Sequence, residues 1–254
     1  MNGFDLSGRV AIVTGGNGGI GLGMARGLAE AGAAVVIAGR NREKSGAAVA
    51  ALEAMGARAA AVEVNVTEEA SCRAMIGAAV AEFGRLDILI NNAGTNIRKQ
   101  PMEYSLAEWH EVLETNLTSA FLCAQAAYPE MKRGGGGKII NIGSMMSIFG
   151  ASFAVPYAAS KGGIVQMTKG LATAWAKDGI QVNAVLPGWI DTDLTKRARE
   201  QVQGLHERVL ERTPTGRWGV PADFAGIAVF LSSPASDFIT GTAIPVDGGY
   251  SVQG

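Results

Sequence analysis

The sequence predicts an α/β fold: one doubly wound parallel sheet of seven strands with helices on both faces. Three features carry this. Short β-branched runs alternate with longer Ala-rich amphipathic stretches along the chain. The first run ends in a cluster of glycines that opens a helix. No Pro/Ser-rich linker or shift in composition divides the 254 residues, so a single domain over 1–254 is expected.

The strands are read at Val10–Thr14, Ala34–Ala38, Ala59–Glu63, Ile88–Asn91, Lys138–Ile142, Gln181–Leu186 and Thr242–Val246. Most are continuous apolar runs, as strands covered on both faces must be. The helices between them fall at Gly19–Glu30, Arg42–Met55, Glu68–Phe83, Leu106–Met131, Tyr157–Lys177 and Ala222–Ser232. Gly134–Gly137 reads as a flexible surface turn before the fifth strand. Between Pro187 and Pro221 the rhythm breaks. Trp189, Leu194, Arg197, Arg199, Leu205 and His206 mix there without a strand pattern, which predicts a helical lid or substrate loop at about 188–220.

Composition narrows the function. Twenty-two Lys+Arg against 23 Asp+Glu give a net charge of −1, and the cations are dispersed, so neither nucleic acid nor an anionic membrane is an expected partner. A small molecule is. The start, Met1-Asn2-Gly3-Phe4-Asp5-Leu6, lacks a basic-then-apolar signal pattern, and no apolar run is long enough to span a bilayer; a cytoplasmic protein is expected. Cys72 and Cys123 both fall in helix-like segments and read as buried thiols. His110 and His206 stand apart, so no metal site is expected.

The glycine turn points to a ligand. Val10-Ala11-Ile12-Val13 leads into Thr14-Gly15-Gly16-Asn17-Gly18-Gly19-Ile20-Gly21 and then an amphipathic helix. In such a Rossmann-type arrangement the first N–H groups and the dipole of the helix favour a pyrophosphate. Gly15 is expected at the tight turn, Gly19 at the close approach to the ligand, and Gly21 where helix and strand pack. No Gly-Lys-Ser/Thr closes the turn, which excludes a P-loop.

Further along, Tyr157 and Lys161 stand at i and i+4, on one helix face, downstream of Ser144. A phenol ionises near pH ~10, so proton exchange near neutrality needs about 4 kcal/mol of help. An ammonium ~4 Å away at an effective dielectric of ~20 supplies about that much, while desolvation works against it. The pair is therefore expected to serve proton transfer, with Lys161 easing ionisation of Tyr157.

Together these motifs resemble the short-chain dehydrogenase/reductase family over essentially the whole chain. The resemblance rests on Thr14-Gly-x3-Gly-x-Gly21, Asn91-Asn92-Ala93-Gly94, Asn116, Ser144, Tyr157-x3-Lys161, Pro187-Gly188 with Thr192, and Val246-Asp247-Gly248-Gly249. It implies an NAD(P)-dependent oxidoreductase in which Tyr157 is the general acid/base, Lys161 tunes it and holds the ribose, Ser144 orients the substrate carbonyl, and Asn116 anchors a relay water. It further implies cofactor contacts from Gly15, Asn17, Gly19, Ile20, Gly21, Asn65, Val66, Asn92, Ala93, Gly94, Tyr157, Lys161, Pro187, Gly188, Ile190 and Thr192, and a homotetramer.

Two departures from the family pattern stand out. Asn65 occupies a position where many members carry Asp, so an amide contact to the adenine is expected. The second strand ends in Gly39-Arg40-Asn41 with no carboxylate for a ribose 2′-hydroxyl. Arg40 suits a 2′-phosphate by charge and geometry, so NADP(H) is the expected cofactor, with NAD(H) possible.

The segments Gly136–Ser147 and Arg212–Pro221 are similar to those of the sugar and sugar-acid dehydrogenases of that family, the gluconate 5-dehydrogenases and 2-deoxygluconate 3-dehydrogenases. Arg98 with Lys99 is expected to hold a substrate carboxylate, and Met145, Met146, Phe149 and Trp189 to form an adaptable apolar wall. That wall also suits an acyl, steroid or aromatic ketone, and a catalytically silent dinucleotide sensor is the alternative of another class.

Overall fold

The structure, a computed structural model, describes residues 3–254; Met1 and Asn2, the first residues of the stretch read for a signal, lie outside the described residues. Strands β1 (Val10–Thr14), β2 (Ala34–Gly39), β3 (Ala59–Glu63), β4 (Ile88–Asn91), β5 (Gly137–Ile142), β6 (Ile180–Pro187) and β7 (Ala243–Val246) form one sheet in the order β3-β2-β1-β4-β5-β6-β7. Every neighbouring pair is parallel. Chain progression reverses between β1 and β4, where Thr14 pairs with Asn91. In such sheets the crevice at the carboxyl ends of these strands is where ligands bind.

Alternation along each strand feeds two cores. Ala11 and Val13 of β1, with Val35, Ile37, Ile88 and Ile90, pack on α1 (Gly19–Glu30), α2 (Arg42–Glu53) and α9 (Ala225–Ser232) through Met24, Leu28, Leu52, Ala228 and Leu231. Ile12, Val36 and Leu89 face α3 (Glu69–Phe83) and α5 (Ser119–Arg133) through Met75, Ile76, Cys123, Ala127 and Met131. Among the described residues no helix is long and apolar enough to cross a membrane.

Two local differences from the sequence expectation have physical causes, and the cysteines and the irregular stretch gain detail. The single helix expected over Leu106–Met131 is α4 (Leu106–Leu113), a π-helical turn at Glu114–Thr118, then α5. The wide turn carries Asn116, whose side chain bonds back to the Thr95 backbone. Gly134 and Gly135 form an exposed surface turn, but Gly136 and Gly137 are packed: a Cβ on Gly136 would lie 2.6 Å from the Gly179 oxygen, and one on Gly137 2.6 Å from Met131 Sδ. The two cysteines, distant in sequence, meet inside the second core, where the Cys123 thiol points at Cys72 Sγ 3.6 Å away. The irregular stretch holds α7 (Asp193–Gln201) and α8 (Leu205–Arg212), joined by a small core of Ala198, Leu205, Val209 and Trp218 against Trp189. The remaining helix, α6 (Val155–Trp175), leads into a 3₁₀ turn before β6.

Candidate active site

The glycine turn stands at the switch point. Gly15 (φ 63°) and Gly19 (φ 51°) adopt left-handed backbone that side-chain-bearing residues avoid. Helix α1 has Gly18 at its N-cap, with no side-chain cap and no acidic residue in its first turn. Its opening N–H groups and dipole therefore face the crevice without a competing anion of their own. A Cβ on Gly21 would come within 2.5 Å of both Asn92 Nδ2 and the Gly15 oxygen, which fixes glycine at this packing point. Asn92 Nδ2 donates to the oxygens of Thr14 (3.0 Å) and Gly15 (3.1 Å). Thr14 Oγ1 in return accepts the N–H groups of Asn92 (3.0 Å) and Ala93 (3.1 Å). The Asn92 amide, expected at the cofactor, is a clamp that sews the glycine turn to β4.

Two adjoining cavities follow this edge. One, of about 560 Å³, is lined by Asn17, Gly19, Ile20, Asn92, Gly94 and Thr192, with Arg26 and Lys44. The other, of about 270 Å³, is lined by Gly15, Arg40, Lys44, Asn65, Val66 and Ala93 and by no carboxylate. Among the described residues Arg26, Arg40 and Lys44 enter no ion pair. Gly39 has a steric reason to lack a side chain: its Cβ would sit 2.8 Å from Asn17 Nδ2, which donates to Ser45 Oγ at 3.1 Å. A side chain there would have to displace the Asn17 amide. This uncapped, glycine-lined and cationic crevice fits a phosphorylated dinucleotide.

Some expected cofactor residues stand differently. Asn65 lines the cavity, but its Nδ2 donates to Glu68 Oε1 (2.6 Å) and its Oδ1 accepts from Thr67 Oγ1 (2.9 Å), so the amide serves its own turn. Pro187 ends β6, paired with Val246, and lines neither cavity. Ile190 is buried in a bridge to Gly219 and lines a separate 220 Å³ cavity with Arg217 and Asp223. Gly188 donates to the Val246 oxygen (3.0 Å) and would clash with Asp247 if it carried a Cβ (2.7 Å). Lys44 and Arg26 were not expected. The one trace of Lys44 in the sequence is the helix cap before it, Asn41, whose Oδ1 accepts the Lys44 N–H at 2.9 Å.

The chemistry-bearing side chains converge beyond Gly94. A Cβ on Gly94 would lie 3.2 Å from Asn116 Oδ1 and 3.8 Å from Lys161 Nζ, so the dinucleotide crevice runs up to them. Tyr157 and Lys161 occupy the first turns of α6, with Pro156 at its start. Ser144 ends the β5 segment, its Oγ accepting from Met146 N (3.1 Å) and partnering the Tyr157 phenol. Asn116 Nδ2 donates to the Thr95 oxygen (2.9 Å) and to Ser160 Oγ (3.0 Å), and Ser160 Oγ donates to the Tyr157 backbone oxygen at 2.7 Å. With Thr95 N on its Oδ1 at 2.7 Å, the Asn116 side chain is committed to protein, and its expected role as a water anchor gets no support from that amide.

Electrostatics adds detail to the Tyr/Lys pair. Lys161 Nζ lies 5.6 Å from the Tyr157 ring centroid but donates to the Ile142 oxygen at 2.7 Å. Burial pushes Tyr157 above the ordinary phenol range, opposed by the Ser144 hydrogen bond and by the charge of Arg98. Burial also drops Lys161 to about 8. Arg98 thus adds a second protein cation that favours the phenolate, beside the Lys161 ammonium over the ring.

A compact cavity of about 80 Å³ opens on Tyr157 and Ser144 and is lined by Asn96, Arg98, Met145, Met146 and Trp189, with Leu194 and Thr195 from α7. Arg98 is half-buried there, and its hydrogen bonds go to neutral acceptors, Gln201 Oε1 (3.1 Å) and the Leu194 oxygen (3.4 Å). Desolvation lowers its pKa, and no carboxylate counters this. The expected partner cation, Lys99, is bound to Glu108 instead, and its charge is taken. Phe149 leaves the wall as well: it packs edge-on against Tyr250 (6.3 Å) under Arg212. Thr195 carried no signal in the sequence, and Asn96 and Leu194 only that of the segments they belong to, since the fold is what brings them to Tyr157.

Comparison with known proteins is consistent along the whole chain. The family model described as enoyl-(acyl carrier protein) reductase matches residues 15–251. The 2-dehydro-3-deoxy-D-gluconate 5-dehydrogenase of Dickeya dadantii (strain 3937) is 42% identical over 251 residues, 98% of either chain. The gluconate 5-dehydrogenase of Gluconobacter oxydans (strain 621H) is 41% identical over 250 residues, 98% of this chain and 97% of that one. The structure of a gluconate 5-dehydrogenase from Burkholderia cenocepacia J2315, in complex with NADP and tartrate, superposes with a TM-score of 0.94 at 42% identity, covering 99% of this chain and 98% of that one.

Proposed function

Because the chain belongs to the short-chain dehydrogenase/reductase family, we propose that Ser144, Tyr157 and Lys161 are its catalytic residues and that Arg98 receives a substrate carboxylate. The protein is an NAD(P)-dependent oxidoreductase acting on the CH–OH or carbonyl group of a sugar acid. One observation carries the substrate assignment: a half-buried guanidinium with no carboxylate partner lines the same small cavity as Tyr157 and Ser144. Such a charge is costly until an anion pairs with it, and a planar carboxylate suits its fork. The likeness to a gluconate 5-dehydrogenase solved with NADP and tartrate supports the same reading.

When bound, the nicotinamide gives or takes the hydride. Ser144 hydrogen-bonds the reacting oxygen, and Tyr157 gives it a proton in reduction or removes one in oxidation. The raised Tyr157 pKa keeps the phenol protonated at neutral pH, the form that reduction needs. Arg40 and Lys44 hold the 2′-phosphate and make NADP(H) the preferred cofactor, while the uncapped start of α1 takes the pyrophosphate. Helices α7 and α8 act as the lid, and Arg98 ties α7 to the site through Gln201 and Leu194. A cytoplasmic homotetramer is the inferred working form, as the resemblance implies, with exposed Leu106 and Phe121 on α4 and α5 as apolar surface for assembly.

Steady-state kinetics with NADPH on keto-aldonates and on neutral ketoses of equal length test the reading. A specificity constant for the acid about 10- to 100-fold above the neutral sugar is expected. Equal constants, or preference for an apolar ketone, would assign the cavity to another substrate class.

A further inference from the structure

We infer that Asn96 is a specificity-determining residue that reads a hydroxyl of the substrate chain, so that the cavity selects polyhydroxylated substrates independently of their charge. This rests on the sugar-acid reading above but uses different atoms. Among the described residues five buried side-chain polar atoms lack a hydrogen-bond partner, and two of them, Asn96 Oδ1 and Trp189 Nε1, belong to residues lining the cavity at Tyr157. Buried polar atoms are nearly always satisfied, so an unpaired acceptor and an unpaired donor on two residues that line one cavity, Trp189 also bordering the cavity at Ile190, call for a ligand group that both donates and accepts. A hydroxyl does both.

The loop holds Asn96 for that task. Before it, Thr95 is pinned at both backbone groups by Asn116: Thr95 N donates to Oδ1 at 2.7 Å and the Thr95 oxygen accepts from Nδ2 at 2.9 Å. After it, the Ile97 oxygen accepts from the Tyr104 hydroxyl at 2.6 Å. The carboxamide therefore projects from a backbone fixed on either side, next to the residues that deliver the proton. Trp189 is held by its edge-on contact with Trp218, 5.7 Å between centroids. The Asn96 oxygen accepts from the substrate O–H and the Trp189 N–H donates to a substrate oxygen. A chain that lacks the matching hydroxyl leaves both unpaired in the closed cavity, which is how a site rejects a deoxy analogue.

The test compares ketones in pairs that differ by one hydroxyl near the carbonyl, in an acid series and in a neutral series, with NADPH and the full-length protein. The wild-type enzyme should favour the hydroxylated member of at least one pair in kcat/KM by about 10- to 100-fold. Asn96→Leu, and Asn96→Ala as a second variant, should erase that preference while NADPH affinity stays unchanged. Wild-type indifference to the hydroxyl in both series, or a preference that survives either variant, overturns the inference. Loss of the acid-over-neutral preference with hydroxyl preference intact would overturn the Arg98 reading alone.

Discussion

The Lys161 ammonium donates to the main-chain oxygen of Ile142 at 2.7 Å. It is thereby anchored to the end of β5, not to the phenol it follows by one helical turn, and burial brings its pKa down to about 8. Below that pH the folded protein keeps a buried cation that the unfolded chain would hydrate. Between about 8 and the ordinary lysine value of ~10.4 the unfolded chain binds the extra proton, so stability rises with pH across that window. Urea unfolding of wild-type and Lys161→Met proteins from pH ~7 to ~9.5 should show the wild type gaining on the variant, by about 2 kcal/mol at most. A constant difference would mean that Lys161 stays charged throughout.

Arg98 adds a positive charge that favours the ionised form of Tyr157. Removing that charge makes the phenolate harder to form. Arg98→Met should therefore shift the alkaline pH needed for alcohol oxidation upward, while reduction of a neutral ketone, which uses the protonated phenol, keeps its neutral-pH rate. Bell-shaped or sigmoid pH–rate profiles in both directions read this out; an oxidation profile that stays in place would remove Arg98 from the acid/base balance.

Arg40 and Lys44 share the carboxylate-free cavity beside β2. A charge-assisted contact to phosphate is worth about 1.5–3 kcal/mol, so NADPH should bind roughly 10- to 100-fold more tightly than NADH. Arg40→Ala should erase most of that gap and Lys44→Ala part of it, with NADH affinity nearly unchanged in both. Fluorescence titration of each protein with both cofactors checks this, and equal affinities in the wild type would contradict it.

Thr14 Oγ1 takes two backbone N–H groups, those of Asn92 and Ala93. Thr14→Val keeps the shape and orphans both donors, which should cost roughly 2–4 kcal/mol of stability and weaken cofactor binding through the glycine turn. A denaturant midpoint within error of wild type would show that water replaces the hydroxyl.

The strands, the glycine turn and the Tyr157/Lys161 spacing were legible in the sequence because each obeys a short-range rule: strand alternation, left-handed glycine, the i to i+4 helix face. What was not legible depends on partners distant in the chain. Lys99 reads as a carboxylate ligand beside Arg98 until the fold sets Glu108 against it. Phe149 reads as cavity wall until Tyr250 and Arg212 claim its ring. Asn65 and Asn92 line the crevice expected to hold the cofactor, but what their amides bond within the turns that shape it was not legible. Asn116 interrupts a helix that periodicity alone draws as continuous.

The central claim is that Tyr157 moves the proton while the rest of the site binds and positions. Turnover of NADPH with a keto-aldonate, measured beside NADPH affinity in wild-type and Tyr157→Phe proteins, tests it most directly. The variant should bind NADPH as wild type does and lose at least about 100-fold in kcat. Near-normal turnover by Tyr157→Phe would contradict the account, whatever the substrate.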